Sequence, residues 1–373
     1  MEKEKRLGEV ARLFLKLGLI GFGGPAVHIA MMEEEVVRKR NWVSQQHFLD
    51  MVGATNLIPG PNSTEMTMHC GMERAGWRGL VVAGGCFILP AVILTALLAW
   101  AYQQYGSLPQ VTPFLYGIKP AIIALIVAAM ISLGKKAFKS PWLNLLGLLA
   151  GSLALAGINE IVVLLGAGLL GVLFYFFQNN QITANGLFPF VLLQAHLTPY
   201  VDAGKLFWIF LKIGALLYGS GYVLFAFIDA ELVARGWLSK QQLIDAIAVG
   251  QFTPGPVFSA ATFIGWQLGG LGGAAATTIG IFLPSFLFVA LLNPLIARLR
   301  NSGLMSAFLD AVNVASVAII LAVSVEMTKV AITDWRTVLI GVISFIMVFW
   351  YRKINSVFIV AGGSLLGYLL HLI

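Results

Sequence analysis

Long apolar stretches, broken at glycine or proline and separated by short charged runs, fill this chain and do so twice in the same order. Each half opens on an apolar stretch, about Val10 to Ala30 and about Phe207 to Ile228. At roughly 20 residues, each predicts a helix long enough to cross the hydrocarbon of a bilayer. Both are interrupted, by Gly21-Phe22-Gly23-Gly24-Pro25 and by Gly219-Ser220-Gly221. Such residues cannot hold a regular helix, and they free backbone groups that must find partners. A charged stretch follows, Glu33 to Arg40 and Asp229 to Arg235, ending in Trp42-Val-Ser44 and Trp237-Leu-Ser239. An interfacial tryptophan followed by a serine is suited to start and cap the next helix.

That next helix, Gln45 to Ile58 or Lys240 to Thr253, stops at Pro59-Gly60-Pro61 or Pro254-Gly255-Pro256, and another short one begins. Each piece is only about 12 residues, roughly half the length needed to span, so the two read as a re-entrant helical pair hinged at Pro-Gly-Pro. Gly79 to Tyr102 and Gly272 to Asn293 come next, with internal prolines at Pro90 and Pro284. Pro113 to Leu133, Trp142 to Gly157 and Ile161 to Phe177 complete the first half; Ala307 to Val325, Trp335 to Trp350 and Val357 to Leu372 complete the second. With the hairpin not crossing, each half has five spans, an odd number that inverts the second half relative to the first. A crossing hairpin would give six and a parallel repeat; five is the favoured count.

The two copies lie 196 residues apart at Lys16 and Lys212 and 195 apart at the Pro-Gly-Pro segments. The chain therefore divides into a first transmembrane repeat (1–178), a linker (179–206) and a second repeat (207–373), the organisation expected of an all-α polytopic transporter. Composition agrees: 58% of residues are hydrophobic and 11% charged, values that exclude an ordinary soluble domain. The net charge of +7 comes from Lys and Arg clustered at segment ends, the pattern of loops flanking membrane helices and not of a nucleic-acid surface. Both orientations leave basic loops on each face, so the side of the N-terminus is open. Cys70 and Cys86 sit in apolar stretches and suggest no disulfide, and the first apolar stretch lacks a cleavage site and reads as a retained helix.

The Phe22-Gly-Gly-Pro25 break, the charged loop ending in Trp42, Asn56-Leu-Ile-Pro-Gly-Pro-Asn62, Gly76-Trp77 and the Leu89-Pro90 helix resemble the chromate ion transporter family. So do the second-half echoes Gly219-Ser-Gly-Tyr222, Gln251-Phe-Thr-Pro-Gly-Pro256 and Phe282-Leu-Pro284. The resemblance covers essentially the whole chain and fits the long, two-domain form. It implies a multi-pass protein of the bacterial inner membrane that exports chromate, is energised by the proton motive force and confers chromate resistance. Chromate shares its charge and shape with sulfate, so another tetrahedral divalent oxyanion is the alternative substrate. Protons and the lipid bilayer are the other expected partners, no cofactor or metal is called for, and assembly as a homo-oligomer is open.

Three features suit a tetrahedral dianion. Lys16 and Lys212 lie within apolar helices about two turns before the glycine breaks, where a charge costs roughly 2.5 to 3.5 kcal/mol and usually faces a cavity or a partner. Snorkelling towards a nearby interface is the competing explanation. The breaks themselves, Gly23 and Gly24 in one half and Gly219, Ser220 and Gly221 in the other, expose backbone groups. After Pro61 and Pro256, each suited to the first turn of a half-helix, free amides follow. In the first half these belong to Asn62, Ser63 and Thr64; in the second Val257 and Phe258 replace two of them, and Ser259 alone keeps a hydroxyl. The site is therefore expected to be weighted towards the first repeat.

Proton coupling needs an ionisable group close by. Glu65 follows Thr64 directly and has Ala260 as its counterpart, and an intramembrane carboxylate is a functional candidate by default. Glu33 and Asp229 stand behind it. Glu35 and Glu231 are expected to pair with Arg38, Arg40 and Arg235. Met66, Met68, His69, Cys70 and Met72 suggest soft metal ligands, yet their second-half equivalents are non-ligating, so packing explains the methionines and cysteine better. Neither a catalytic motif nor a Walker loop is present, and the glycine-rich run Gly269 to Gly273 reads as close helix packing. A membrane enzyme would have to rest on His69, Glu65 and Glu73 at no recognisable spacing, and an assembly subunit would leave the two lysines unexplained.

Overall fold

In a computed structural model, residues 2–179, 202–218, 221–292, 302–351 and 355–372 are described. Among them there are helices and no strands. The first half comprises α1 (Glu2–Ile20), α2 (Pro25–Met32), α3 (Gln45–Thr55), α4 (Asn62–Tyr105), α5 (Thr112–Ala137), α6 (Pro141–Leu155) and α7 (Glu160–Asn179). The second comprises α8 (Ala203–Leu216), α9 (Val223–Ile228), α10 (Lys240–Phe252), α11 (Ala260–Leu292), α12 (Gly303–Ala331), α13 (Trp335–Trp350) and α14 (Ser356–His371). Among the described residues, five helices are long and apolar enough to cross a membrane. Leu148, Leu271 and Phe358 are among many large apolar side chains on the outer surface, as in a protein solvated by lipid. The expected caps form, with Ser44 and Ser239 accepting from the His47 and Gln242 amides; Asn159 and Asn355 also accept, from the Ile161 and Val357 amides.

The first expected span, Val10 to Ala30, is instead two helices that double back on each other. Lys16 of α1 reaches Glu35, just beyond α2, at 3.2 Å. Arg74 pairs with Glu9 at 2.6 Å and lies over the Trp42 ring, so both ends of the segment sit at one level. The cause is the break itself. Gly23 takes φ +121°, a value only glycine adopts readily, Pro25 opens α2, and His28 Nε2 binds the freed Gly21 carbonyl at 2.8 Å. Hydrophobicity alone could not show this turn, because both arms are apolar.

A second hairpin follows. The His47–Glu73 pair, at 3.2 Å, brings the start of α3 beside residue 73 of α4, with Pro59-Gly60-Pro61 at the far tip. α4 itself folds over at Ala75 and at Gly76, whose φ is +66°, so that residues 62–74 run back along 77–105. The two arms touch backbone to backbone: a Cβ on Gly71 would stand 2.3 Å from the Gly79 carbonyl oxygen. α11 repeats this at Gly269 and Gly270, with Thr277 donating to the Ala261 carbonyl at 2.8 Å. The glycine-rich run thus supplies a turn as well as close packing.

Equivalent helices of the two halves run antiparallel. Gly84 lies against Phe286, whereas Ala99 and Gln103 accept from Gln267 and Trp266 at 3.1 and 3.0 Å. α5 and α12 show the same sense, through Lys139–Asp310 at 2.9 Å and a hydrogen bond from Tyr116 to Asp334 just past α12. At the centre the halves exchange hydrogen bonds. The Gly60 amide donates to the Leu217 carbonyl at 2.8 Å, and the Gly255 amide donates to the Gly21 carbonyl at 2.7 Å. Residues 21 and 217 are repeat equivalents, as are 60 and 255, so the contact is reciprocal in the manner of a two-fold interface.

The Gly71 contact yields a test. Gly71→Leu should cost about 1–3 kcal/mol by overpacking the hairpin, whereas Gly85→Leu, which points into open space, should change stability by about 0.5 kcal/mol or less. Thermal unfolding in detergent measures both, and equal losses would contradict the backbone contact.

Candidate functional site

The two Pro-Gly-Pro tips and the two helix breaks converge at the middle of the long helices. Gly60 and Gly255 take φ values of +138° and +92°, which turn the chain sharply enough to begin a new helix. Behind Pro61, the Thr64 and Glu65 amides bond the Pro61 carbonyl at 2.8 and 3.1 Å. Those of Asn62 and Ser63 stand before the ladder and have no intrahelical acceptor. Asn62 Nδ2 donates to Asn56 Oδ1 at 2.7 Å, which ties the two sides of the tip together. Ser63 and Thr64 are buried, and the Thr64 hydroxyl has no hydrogen-bond partner. Together these groups form a donor-rich helix start that suits an oxyanion.

Glu65 is fully buried within this tip. Its carboxylate turns back towards the loop: Oε1 and the Ser285 hydroxyl lie 2.2 and 2.4 Å from where a Gly60 Cβ would stand. No well-formed hydrogen bond holds either carboxylate oxygen, and no described ion pair includes this residue. The symmetry mate is apolar, since Gly255 packs on Ala91 in the same way and Ala260 replaces Glu65. Ser285, at the position equivalent to Ala91, was not expected as a site residue. The comparison that isolates Glu65 against Ala260 would also have isolated it.

The second tip is poorer in donors. Ser259 is buried with its hydroxyl 3.4 Å from that of Thr253, and Val257 and Phe258 occupy the remaining first-turn places. Gly221 stands close to the Phe258 ring, whereas Gly219 and Ser220 lie outside the described residues. In the first break Gly24 is extended and precedes α2.

The lysines are not brought into contact with the tips. Lys16 shares Glu35 with Lys39 and Arg40, and Lys212 binds Glu231 at 2.5 Å beside Arg235. The same cation–carboxylate–cation arrangement is thus built twice. Burial works against the charge of Glu35, but hydrogen bonds from Arg40 and Lys16 outweigh it and hold the carboxyl below its usual range. Lys16 also lines an open groove of about 700 Å³ with Ile20, Val27, Met31, Glu34 and Lys39. Of the expected carboxylates, Glu35 meets Arg40 but Arg38 pairs with Glu33 and Glu34 instead. Asp229 faces Lys240 at 3.7 Å, and burial pushes its carboxyl up against that pull. No described contact brings Glu33 or Asp229 to Glu65. Met66, Met68 and Cys70 pack in the hydrophobic core.

A model of the chromate transporter family matches the chain twice, over residues 8–172 and 204–368. The chain is 30% identical over 352 residues to the probable chromate transport protein of Synechococcus elongatus, spanning 91% of this chain and 89% of that one. It is 28% identical to the chromate transport protein of Cupriavidus metallidurans, across 97% of this chain and 92% of the relative. With the chromate transport protein of Pseudomonas aeruginosa the identity is 29%, across 95% and 90%. No solved structure matches.

The paired lysines differ in exposure, 55% for the Lys16 side chain and 33% for Lys212, and Glu231 is the more buried carboxylate. Lys212→Ala should therefore destabilise by about 1–2 kcal/mol, and Lys16→Ala by less than about 1 kcal/mol. Adding Glu231→Gln to Lys212→Ala should recover most of the loss. Unfolding temperatures in detergent give the order, and a more harmful Lys16→Ala would refute it.

Proposed function

Because the chain belongs to the chromate transporter family, with the family pattern present in both halves, we propose that it exports chromate from the cytoplasm by secondary active transport powered by the proton motive force. It is a multi-pass membrane protein and a transporter, not an enzyme. We place it in the bacterial inner membrane, with its halves as inverted repeats. The observation that carries the reading is the reciprocal seating of each Pro-Gly-Pro tip on the helix break of the other half. Irregular backbone is tolerated at membrane depth only where it is buried in protein or lines a cavity.

The antiparallel equivalent helices support inversion more directly than a count of spans, since the first element folds back and does not cross straight. Gly255 packs on Ala91, about 21 Å of helix from either end of the 77–105 arm, which supports tips that enter to mid-depth and return. A site between two inverted halves can open to either face as they rock. The amides of Asn62 and Ser63, with the hydroxyls of Ser63 and Thr64, hold the anion in this reading. Lys16, in its open groove, and Lys212 attract it from a distance, and Glu65 serves coupling ahead of Glu33 and Asp229. Donors of this kind read charge and tetrahedral shape, so sulfate is the rival substrate.

Everted membrane vesicles carrying the protein should accumulate radiolabelled chromate when energised, and Ser63→Ala with Thr64→Val should reduce the rate at least about tenfold. Sulfate that competes fully would favour the broader substrate. Absence of accumulation with folded protein would overturn the substrate or the direction.

A further inference from the structure

We propose that Glu65 is the single proton site of the transport cycle and that proton and dianion occupy the centre together, one proton travelling with each anion. This inference rests on the anion site proposed above. The Glu65 carboxylate shares the start of the 62–74 helix with the first-turn amides of Asn62 and Ser63, which precede the helical ladder, and it is wholly buried with Gly60 and Ser285 around it. The groups facing this region are the Ser285 hydroxyl from α11, the Tyr218 phenol after α8 and, one turn along its own helix, His69. His28 on α2 binds the Gly21 carbonyl, at the other tip. No described ion pair supplies a lysine or arginine to offset a charge on Glu65.

An ionised Glu65 would therefore place a full negative charge at the helix end that receives the dianion, and in a site closed to water that repulsion is strong. A proton on Glu65 removes the repulsion and converts an acceptor into a donor that can face the anion. By reciprocity, whatever factor the proton adds to anion affinity, the anion adds to proton affinity. The two therefore load and leave together. The other repeat cannot double the count, because Ala260 and Ala91 stand where Glu65 and Ser285 do. A dianion with one proton carries a net charge of −1, so outward movement is driven by an interior-negative potential and opposed by the pH difference.

The test is equilibrium binding of radiolabelled chromate to the purified full-length protein across an alkaline range where chromate itself stays a dianion. Wild type should lose affinity by about tenfold per pH unit once the carboxyl ionises, as one-proton linkage requires. Glu65→Gln should bind with no such slope, and Glu65→Asp should retain it. A flat wild-type profile, or a slope that survives in Glu65→Gln, would overturn the proton assignment while leaving the anion site standing. Lack of binding to folded wild type at every pH would overturn the anion site and this inference with it. Should Glu65→Gln not fold, energised everted vesicles decide: collapsing the potential with valinomycin and potassium should stop uptake, and collapsing the pH difference with nigericin should speed it. Uptake unchanged by nigericin would mean that the anion moves without a proton, and uptake slowed by it that proton and anion move in opposite directions; either would overturn the proposal.

Discussion

Two hydrogen bonds between the halves, Gly60 to the Leu217 carbonyl and Gly255 to the Gly21 carbonyl, are the constraint on which the rest of the structure depends. A helix broken at membrane depth leaves polar backbone that water cannot reach, and each unpaired group there costs several kcal/mol. Each half breaks its chain twice, at the glycine-rich turn and at Pro-Gly-Pro, and satisfies its break with the tip of the other half. The Gly21 carbonyl also takes His28 from its own half, but each tip amide finds its acceptor in the other half. The duplication is therefore a structural requirement of the broken helices, and the reciprocal contact places both breaks at one point.

That point is symmetric in backbone and asymmetric in chemistry. The tips share glycine geometry and a proline start, but Asn62, Ser63, Thr64 and Glu65 face Val257, Phe258, Ser259 and Ala260. In the proposed cycle symmetry would let the halves exchange roles in opening to either face, whereas asymmetry confines charge and hydrogen bonding to one side. Away from the centre, the Lys16–Glu35–Arg40 and Lys212–Glu231–Arg235 clusters tie each first hairpin together. Three basic side chains, Lys16, Lys39 and Arg40, meet Glu35 and two, Lys212 and Arg235, meet Glu231, so the cations outnumber the carboxylate in each.

Much of this was legible in the sequence. The offset of 195–196 residues, the Pro-Gly-Pro punctuation and the Trp-x-Ser caps gave the repeats, the short helices and their starts. Gly76 and Gly270, which fold α4 and α11 over, lay at matching positions as well. The fold-back of α1 on α2 did not show, because hydropathy counts apolar residues and is blind to their direction. The 19-residue spacing of Lys16 from Glu35, repeated between Lys212 and Glu231, was the available signal, and it reads as an ion pair across a hairpin. The same pairing explains why the lysines stand apart from the tips. Ser285 went unnoticed because a lone serine carries weight only once its neighbour across the repeat is known. Contact between sites two hundred residues apart is not written in local spacing.

The most direct test is a cryo-EM map of the protein prepared with chromate. The account places tetrahedral density within hydrogen-bond distance of the Asn62 and Ser63 amides, between tips donated by antiparallel halves. Density seated against Lys16 or Lys212 with the Pro-Gly-Pro centre empty, or equivalent helices running parallel, would contradict it.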